Sequence, residues 1–98
     1  MSSPMPFAAP PDPDGGAATV TACYAVRARA EPGVMPRVLE LFAKRGLVPH
    51  NWRSTASREV LTIEVQIAGL GRDMADYIGR SMRQIAGVES VLKSEIGR

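Results

Sequence analysis

Three groups of residues in this 98-residue chain have the types and spacing that chemistry could use. The first is the turn Glu31-Pro32-Gly33, which opens directly onto an amphipathic stretch beginning at Val34. A helix that starts on such a turn presents unpaired backbone N–H groups and the positive end of its dipole, so Gly33, Val34 and Met35 are candidate donors to a small carboxylate. Without a ligand, Glu31-Pro32-Gly33 is a structural turn in which Gly33 is needed for the tight chain reversal and Pro32 fixes the approach. The second group is Arg37 and Asn51, which an acyl-phosphate hydrolase would use to hold phosphate and orient water. The loop lacks the run of glycines that frees several N–H groups, and Pro36 removes one more. The third is His50 and Cys23, the single histidine and the single cysteine. Neither has a sequence neighbour that would activate it, so they are read as a surface residue and a small buried hydrophobe. Metal-ligand spacing and Walker or Rossmann glycine patterns are absent from the sequence.

The elements that must carry these residues follow from periodicity. Val20 to Ala30 alternates, with Tyr24 and Val26 on one face and Arg27 and Arg29 on the other, which predicts a half-buried strand. A helix follows from about Val34, with Met35, Val38, Leu39 and Phe42 as its apolar face and Gly46 as its left-handed cap. Pro36 fits the first turn, and Lys44 and Arg45 suit the negative end of the dipole. Leu47 to Thr55 predicts a weaker strand, demoted toward an edge by Pro49. Glu59 to Ile67 alternates cleanly through Leu61, Ile63, Val65 and Ile67. Gly69 and Gly71 break that pattern. A second helix is expected from about Arg72 to Ala86, with Met74, Ile78, Met82 and Ile85 inward, Asp76 paired to Arg80, and Gly79 in close packing. Gly87 caps it before a last strand, Val88 to Glu95. The order β-α-β-β-α-β predicts a ferredoxin-like α+β fold, a four-stranded antiparallel sheet with two helices on one face. The other face is left either solvated or covered by a partner. RNA-recognition domains of this shape stack bases on rings of the central strands, and here only Tyr24 and Trp52 are aromatic candidates on the sheet, which argues against nucleic acid.

Composition sets the limits. The first eighteen residues hold Pro4, Pro6, Pro10, Pro11, Pro13 and the pair Gly15-Gly16, so residues 1–18 are expected to be a disordered tail and residues 19–98 the domain. The tail has neither the basic nor the apolar region of a secretory signal, and no apolar run suits a membrane span. A single cysteine excludes an intrachain disulfide and suits a cytoplasmic home. Asp12 and Asp14 lie in the tail and no basic residue does, so the net charge of +2 becomes +4 for the remainder, a mild and scattered excess.

Tyr24 to Ile67, and more loosely on to Glu95, resembles an ACT domain, the small-molecule-sensing module of amino-acid metabolism. The residues that carry the resemblance are the turn Glu31-Pro32-Gly33 and the helix pattern Arg37-Val38-Leu39-x-Leu41-Phe42-x-x-Arg45-Gly46. Within that family the chain resembles the single-domain form of the small regulatory subunit of acetolactate synthase. The resemblance implies a non-catalytic subunit of branched-chain amino-acid biosynthesis, a homodimer joined through sheet edges, and effectors held near the glycine turn. It also implies a large catalytic partner carrying thiamine diphosphate, magnesium and FAD. The effector-binding positions it marks are Ala30, Glu31, Gly33, Val34, Met35 and Val48. Effector-binding relatives carry asparagine at the positions of Ala30 and Val48, whose side chains here form no hydrogen bonds, so weak or absent valine binding is expected. A stand-alone amino-acid sensor with another partner, and the acyl-phosphate hydrolase, are the alternatives.

Overall fold

The computed structural model describes residues 19–96; the expected tail lies outside the described residues. The elements are β1 (Val20–Arg29), α1 (Val34–Ala43), β2 (Asn51–Ala56), β3 (Val60–Leu70), α2 (Arg72–Arg83) and β4 (Val88–Ile96). They form one antiparallel sheet of order β2-β3-β1-β4. This is the expected ferredoxin-like arrangement. β1 lies at the centre, paired with β3 on one side and β4 on the other.

Period-2 alternation decides which face each strand buries. Val20, Ala22, Tyr24, Val26 and Ala28 of β1 and Leu61, Ile63, Val65 and Ile67 of β3 point to the helices and are buried. Each large side chain among them contributes roughly 1.5–3 kcal/mol relative to exposure. Tyr24 is the largest. Its ring centroid lies 6.5 Å from that of Phe42, and its hydroxyl donates to the Ala75 carbonyl at 2.6 Å. Burial, with the charges of Asp76 and Glu95 nearby, pushes the phenol well above its ordinary value, so it remains a donor.

Both helices sit one step round from where their sequences place them. In α1 the buried stripe is Val34, Val38 and Phe42, flanked by half-buried Met35 and Leu41, while Leu39 is 45% exposed. Met35 also lines a cavity with Ala56 at the end of β2 and Leu61 of β3. In α2 the buried residues are Ala75, Ile78, Gly79 and Met82, and Met74 is largely exposed. The small residues Ala75 and Gly79 let the helix lie close to the sheet, with a Cβ at Gly79 only 3.5 Å from the Tyr24 ring. α2 ends at Arg83, so Ile85 packs from the following turn rather than from the helix.

Other boundaries also moved. Leu47 to His50 is irregular and β2 begins at Asn51, because Pro49 cannot donate to a ladder. The His50 N–H already donates to the Gln66 carbonyl at 3.1 Å. Gly69 does not end β3. It takes φ +78 and absorbs a register shift, since Val20 faces Leu70 while Ala22 faces Ile67. Gly46, at φ +69, is the left-handed cap of α1, with Leu47 N–H donating to Phe42 and Gly46 N–H to Ala43.

Asp76 bonds Lys93 of β4 at 3.0 Å rather than Arg80. Lys93 also lies 2.8 Å from Glu95, which Arg72 approaches at 3.4 Å, so one network ties α2 to β4. The hydrogen bond from Lys93 holds the Glu95 carboxyl below its ordinary range, and the bonds to Glu95 and Asp76 raise Lys93. A lowered carboxylate contributes stability above its ordinary value, lost as pH falls through the folded value; a raised lysine contributes until pH climbs through its own. Between about pH 5 and pH 3 the melting temperature of the native chain should therefore fall more steeply than that of Glu95→Gln. Parallel melting curves check this, and equal slopes would show that the network carries no linkage.

Candidate effector site

The β1–α1 turn is built by a short chain of backbone bonds. Ala30 N–H donates to Glu59 of the β2–β3 turn at 3.0 Å, Glu31 N–H to Arg29 at 2.8 Å, and Val34 N–H to Glu31 at 3.2 Å. Gly33 is the N-cap with φ −81 and ψ −8, so it needs no left-handed conformation. This corrects the reading of Gly33 as a residue required for chain reversal. A Cβ there would meet the Arg37 guanidinium, which folds back so that one of its NH groups donates to the Gly33 carbonyl at 3.4 Å. Among the described residues neither the Gly33 nor the Met35 N–H has a backbone acceptor. With Arg37, these two N–H groups are what the turn offers an anion.

The glycine that the turn does require is Gly87, before β4. It has φ +97, and its carbonyl accepts from Arg29 N–H at 2.9 Å. A Cβ there would lie 2.9 Å from the Glu31 carboxylate and 3.1 Å from Val34. No spacing in the sequence marks this contact, because only the β1–β4 pairing creates it.

Two concavities flank the turn. One of about 240 Å³ is lined by Ala30, Glu31, Pro32, Met35, Ala56 and Leu61, so Glu31 is its only charged residue. That carboxylate is already held by Arg29 at 2.9 Å. The other, about 490 Å³, lies across Ala30 and Glu31 among Arg27, Arg58, Glu59 and Glu89. The structure thus brings Ala30, Glu31 and Met35 to one cavity, with Gly33 beside it. Val34 is fully buried and contributes only backbone, whose N–H is taken. Val48 is not brought there. It is 83% exposed beyond Gly46, past the far end of a ten-residue helix that is about 15 Å long. Asn51 is exposed at the same far end, away from Arg37.

A sheet of this topology, with both helices on one face, defines a ferredoxin-like α+β domain. The chain belongs to the ACT-like domain family, whose model matches residues 15–97. Among solved structures it is similar to the ACT domain from GTP pyrophosphokinase of Chlorobium tepidum, with a TM-score of 0.69 at 14% identity, covering 78% of this chain and 99% of that one. It is also similar to the C-terminal domain of the MgtC protein from Mycobacterium tuberculosis, with a TM-score of 0.64 at 13% identity over 81% and 89% of the two chains. An uncharacterised Thermotoga maritima protein gives 0.67 at 14% identity over 80% and 98%. At these identities the likeness is one of fold. No curated protein matches the sequence. No helix among the described residues is long and apolar enough to cross a membrane.

The two glycines should respond differently to substitution. Gly87→Ala forces a side chain into left-handed backbone against Glu31 and Val34, and should cost about 1–3 kcal/mol. Gly33→Ala should cost less than about 1 kcal/mol, because only the exposed end of the flexible Arg37 side chain and its long bond to the Gly33 carbonyl must give way. Chemical denaturation of both variants checks the order, and a larger loss at Gly33 would contradict it.

Proposed function

We propose that this chain is a non-catalytic regulatory subunit that acts by association with a larger enzyme of the acetolactate synthase type. Membership of the ACT-like family supports the regulatory part, and the helix pattern Arg37-Val38-Leu39-x-Leu41-Phe42 favours that branch. The catalytic partner would carry thiamine diphosphate, magnesium and FAD, and both proteins would act in the cytoplasm. Two copies would pair through sheet edges. β2 is an edge strand exposed along its length apart from half-buried Trp52, and its free backbone groups suit strand addition. Pairing there would also offer the Val48 end of one copy to the turn of the other.

The observation that carries this reading is the lining of the turn cavity. An α-amino acid needs oxygens for its ammonium as well as donors for its carboxylate. Here the two free N–H groups and Arg37 serve only the carboxylate. Glu31, the one acid in the cavity, is committed to Arg29. A charged hydrogen bond left unmade is worth roughly 1.5–3 kcal/mol, or tenfold to over a hundredfold in affinity. A stand-alone sensor of amino acids would need a better-equipped site.

Affinity capture from cell extract should recover a thiamine-diphosphate enzyme as the main partner; recovery of an unrelated enzyme instead would favour an ACT subunit of another pathway. Calorimetry should show valine binding weaker than a dissociation constant of ~100 μM, and tighter binding would mean that other groups hold the ammonium.

A further inference from the structure

We propose that the amino-terminal segment of this chain, residues 1–18, docks on the outward surface between α1 and α2, held there by its two aspartates and its apolar side chains. This inference stands apart from the edge pairing and from the regulatory reading above. One stacking contact defines the surface. The Arg45 guanidinium, just past the end of α1, lies over the Tyr77 ring at 4.5 Å from its centroid, so that end of α1 meets the first half of α2. Met74 lies three residues before Tyr77 and Arg80 three after, on the same flank of α2. Leu41 lies one turn before Arg45, whose side chain donates back to the Leu41 carbonyl. Tyr77 is 43% and Met74 38% exposed, with Leu41 half-buried beside them. Tyrosine, methionine and arginine are the side chains enriched where surfaces bind.

Charge decides what this surface takes. On the helix-free face the cations are neutralised, Arg27 by Glu89 at 3.8 Å and Arg53 by Glu64 at 3.4 Å. On the helices Lys44 meets Glu40, and Arg72 meets Glu95. Arg37, Arg45 and Arg80 have no carboxylate partner among the described residues, and the first two donate only to carbonyls of their own helix region. Of the helix carboxylates only Asp73 is left unpaired, since Asp76 is taken by Lys93. An apolar centre with a cationic excess around it suits an acidic segment that carries apolar side chains.

Such a segment is tethered beside it. Residues 1–18 hold Asp12 and Asp14 and no lysine or arginine, together with Met5, Phe7 and five prolines. The segment enters the fold at Val20, which pairs with Leu70, two residues before α2 begins at Arg72. Tyr77 is only about 8 Å along the helix from Arg72. Asp14 is five residues from Thr19 and Asp12 seven. Extended chain of those lengths spans about 17 Å and about 24 Å, enough for either to reach Arg45 beside Tyr77. Phe7, twelve residues from Thr19, can reach any point along the helix pair. The segment is too poor in apolar groups to fold alone. Tethering offsets that, because a short linker holds it at an effective concentration in the millimolar range, and its prolines lower the entropy lost on docking.

Chymotrypsin cleavage after Phe7 reports docking in the full chain, because a docked segment is shielded. The Asp12→Asn/Asp14→Asn double variant removes the acidic charges at positions outside every helix and strand, so the fold is untouched. Arg45→Glu reverses the charge on the other side, with the fold checked by circular dichroism. Cleavage after Phe7 should be roughly fivefold or more faster in both variants than in the native chain, and raised salt should accelerate it in the native chain as well. In nuclear magnetic resonance spectra the Met74 methyl and Tyr77 ring signals should shift between the native chain and the double variant. Equal cleavage rates in the native chain and the double variant, or unmoved Met74 and Tyr77 signals, would overturn the proposal. Protection that grows with protein concentration would place the segment on a second copy and overturn it likewise.

Discussion

Tyr24 holds the sheet and both helices of this domain in one arrangement. It sits on the central strand, so its backbone is fixed by pairing with both Val65 and Lys93. Its ring reaches Phe42 of α1 and lies against Gly79 of α2, and its hydroxyl is spent on the Ala75 carbonyl. A buried phenol without that acceptor would cost about 1–3 kcal/mol, a large share of what a domain this small has to spare. The small residues of α2 follow from the same constraint, since Ala75 and Gly79 make room for the ring and its hydroxyl. The position of α2 in turn places Asp76 over Lys93, and the ion network closes the sheet's β4 side.

That constraint also positions the turn. β1 leaves the core at Ala28 and Arg29, and the next four residues must reach α1, whose Val34, Val38 and Phe42 are fixed against the sheet. The turn is therefore held from three sides: by Glu59 from the β2–β3 turn, by Gly87 from the start of β4, and by Arg37 from its own helix. Its rigidity is structural, and the one carboxylate lining its smaller cavity is already bonded to Arg29. In that cavity the side chains hold an α-carboxylate better than an α-ammonium. This is the physical reason for assigning the chain a role in assembly rather than in sensing valine.

Much of the fold was legible in the sequence because the alternation of β1 and β3 and the cap at Gly46 are local signals, whereas Gln84 rather than Gly87 caps α2. The element order and the helix-side faces of β1 and β3 follow from them. What was not legible arose between elements. Leu39 and Met74 look buried by helical spacing, but Val34 in α1 and Ala75 and Gly79 in α2 complete the inward stripes beside the expected Val38, Phe42, Ile78 and Met82, and these two are left exposed. Asp76 is one turn from Arg80, yet the nearer cation is Lys93 from a strand far away in sequence. At the site, the turn residues Ala30, Glu31 and Met35 come together as their adjacency suggests. Val48 does not, because a straight helix separates it from them in one chain. The glycine that mattered was Gly87 rather than Gly33, since a backbone contact made by strand pairing leaves no trace in local spacing.

The proposed role is regulation by binding a partner rather than by reading an amino acid. Reconstitution measures that most directly: acetolactate formation by a purified thiamine-diphosphate large subunit, followed as this chain is titrated in, with and without valine. Such a role requires a saturable rise in activity at a fixed stoichiometry that valine leaves unchanged. Activity that stays flat across the titration, or a rise that valine reverses, would contradict it.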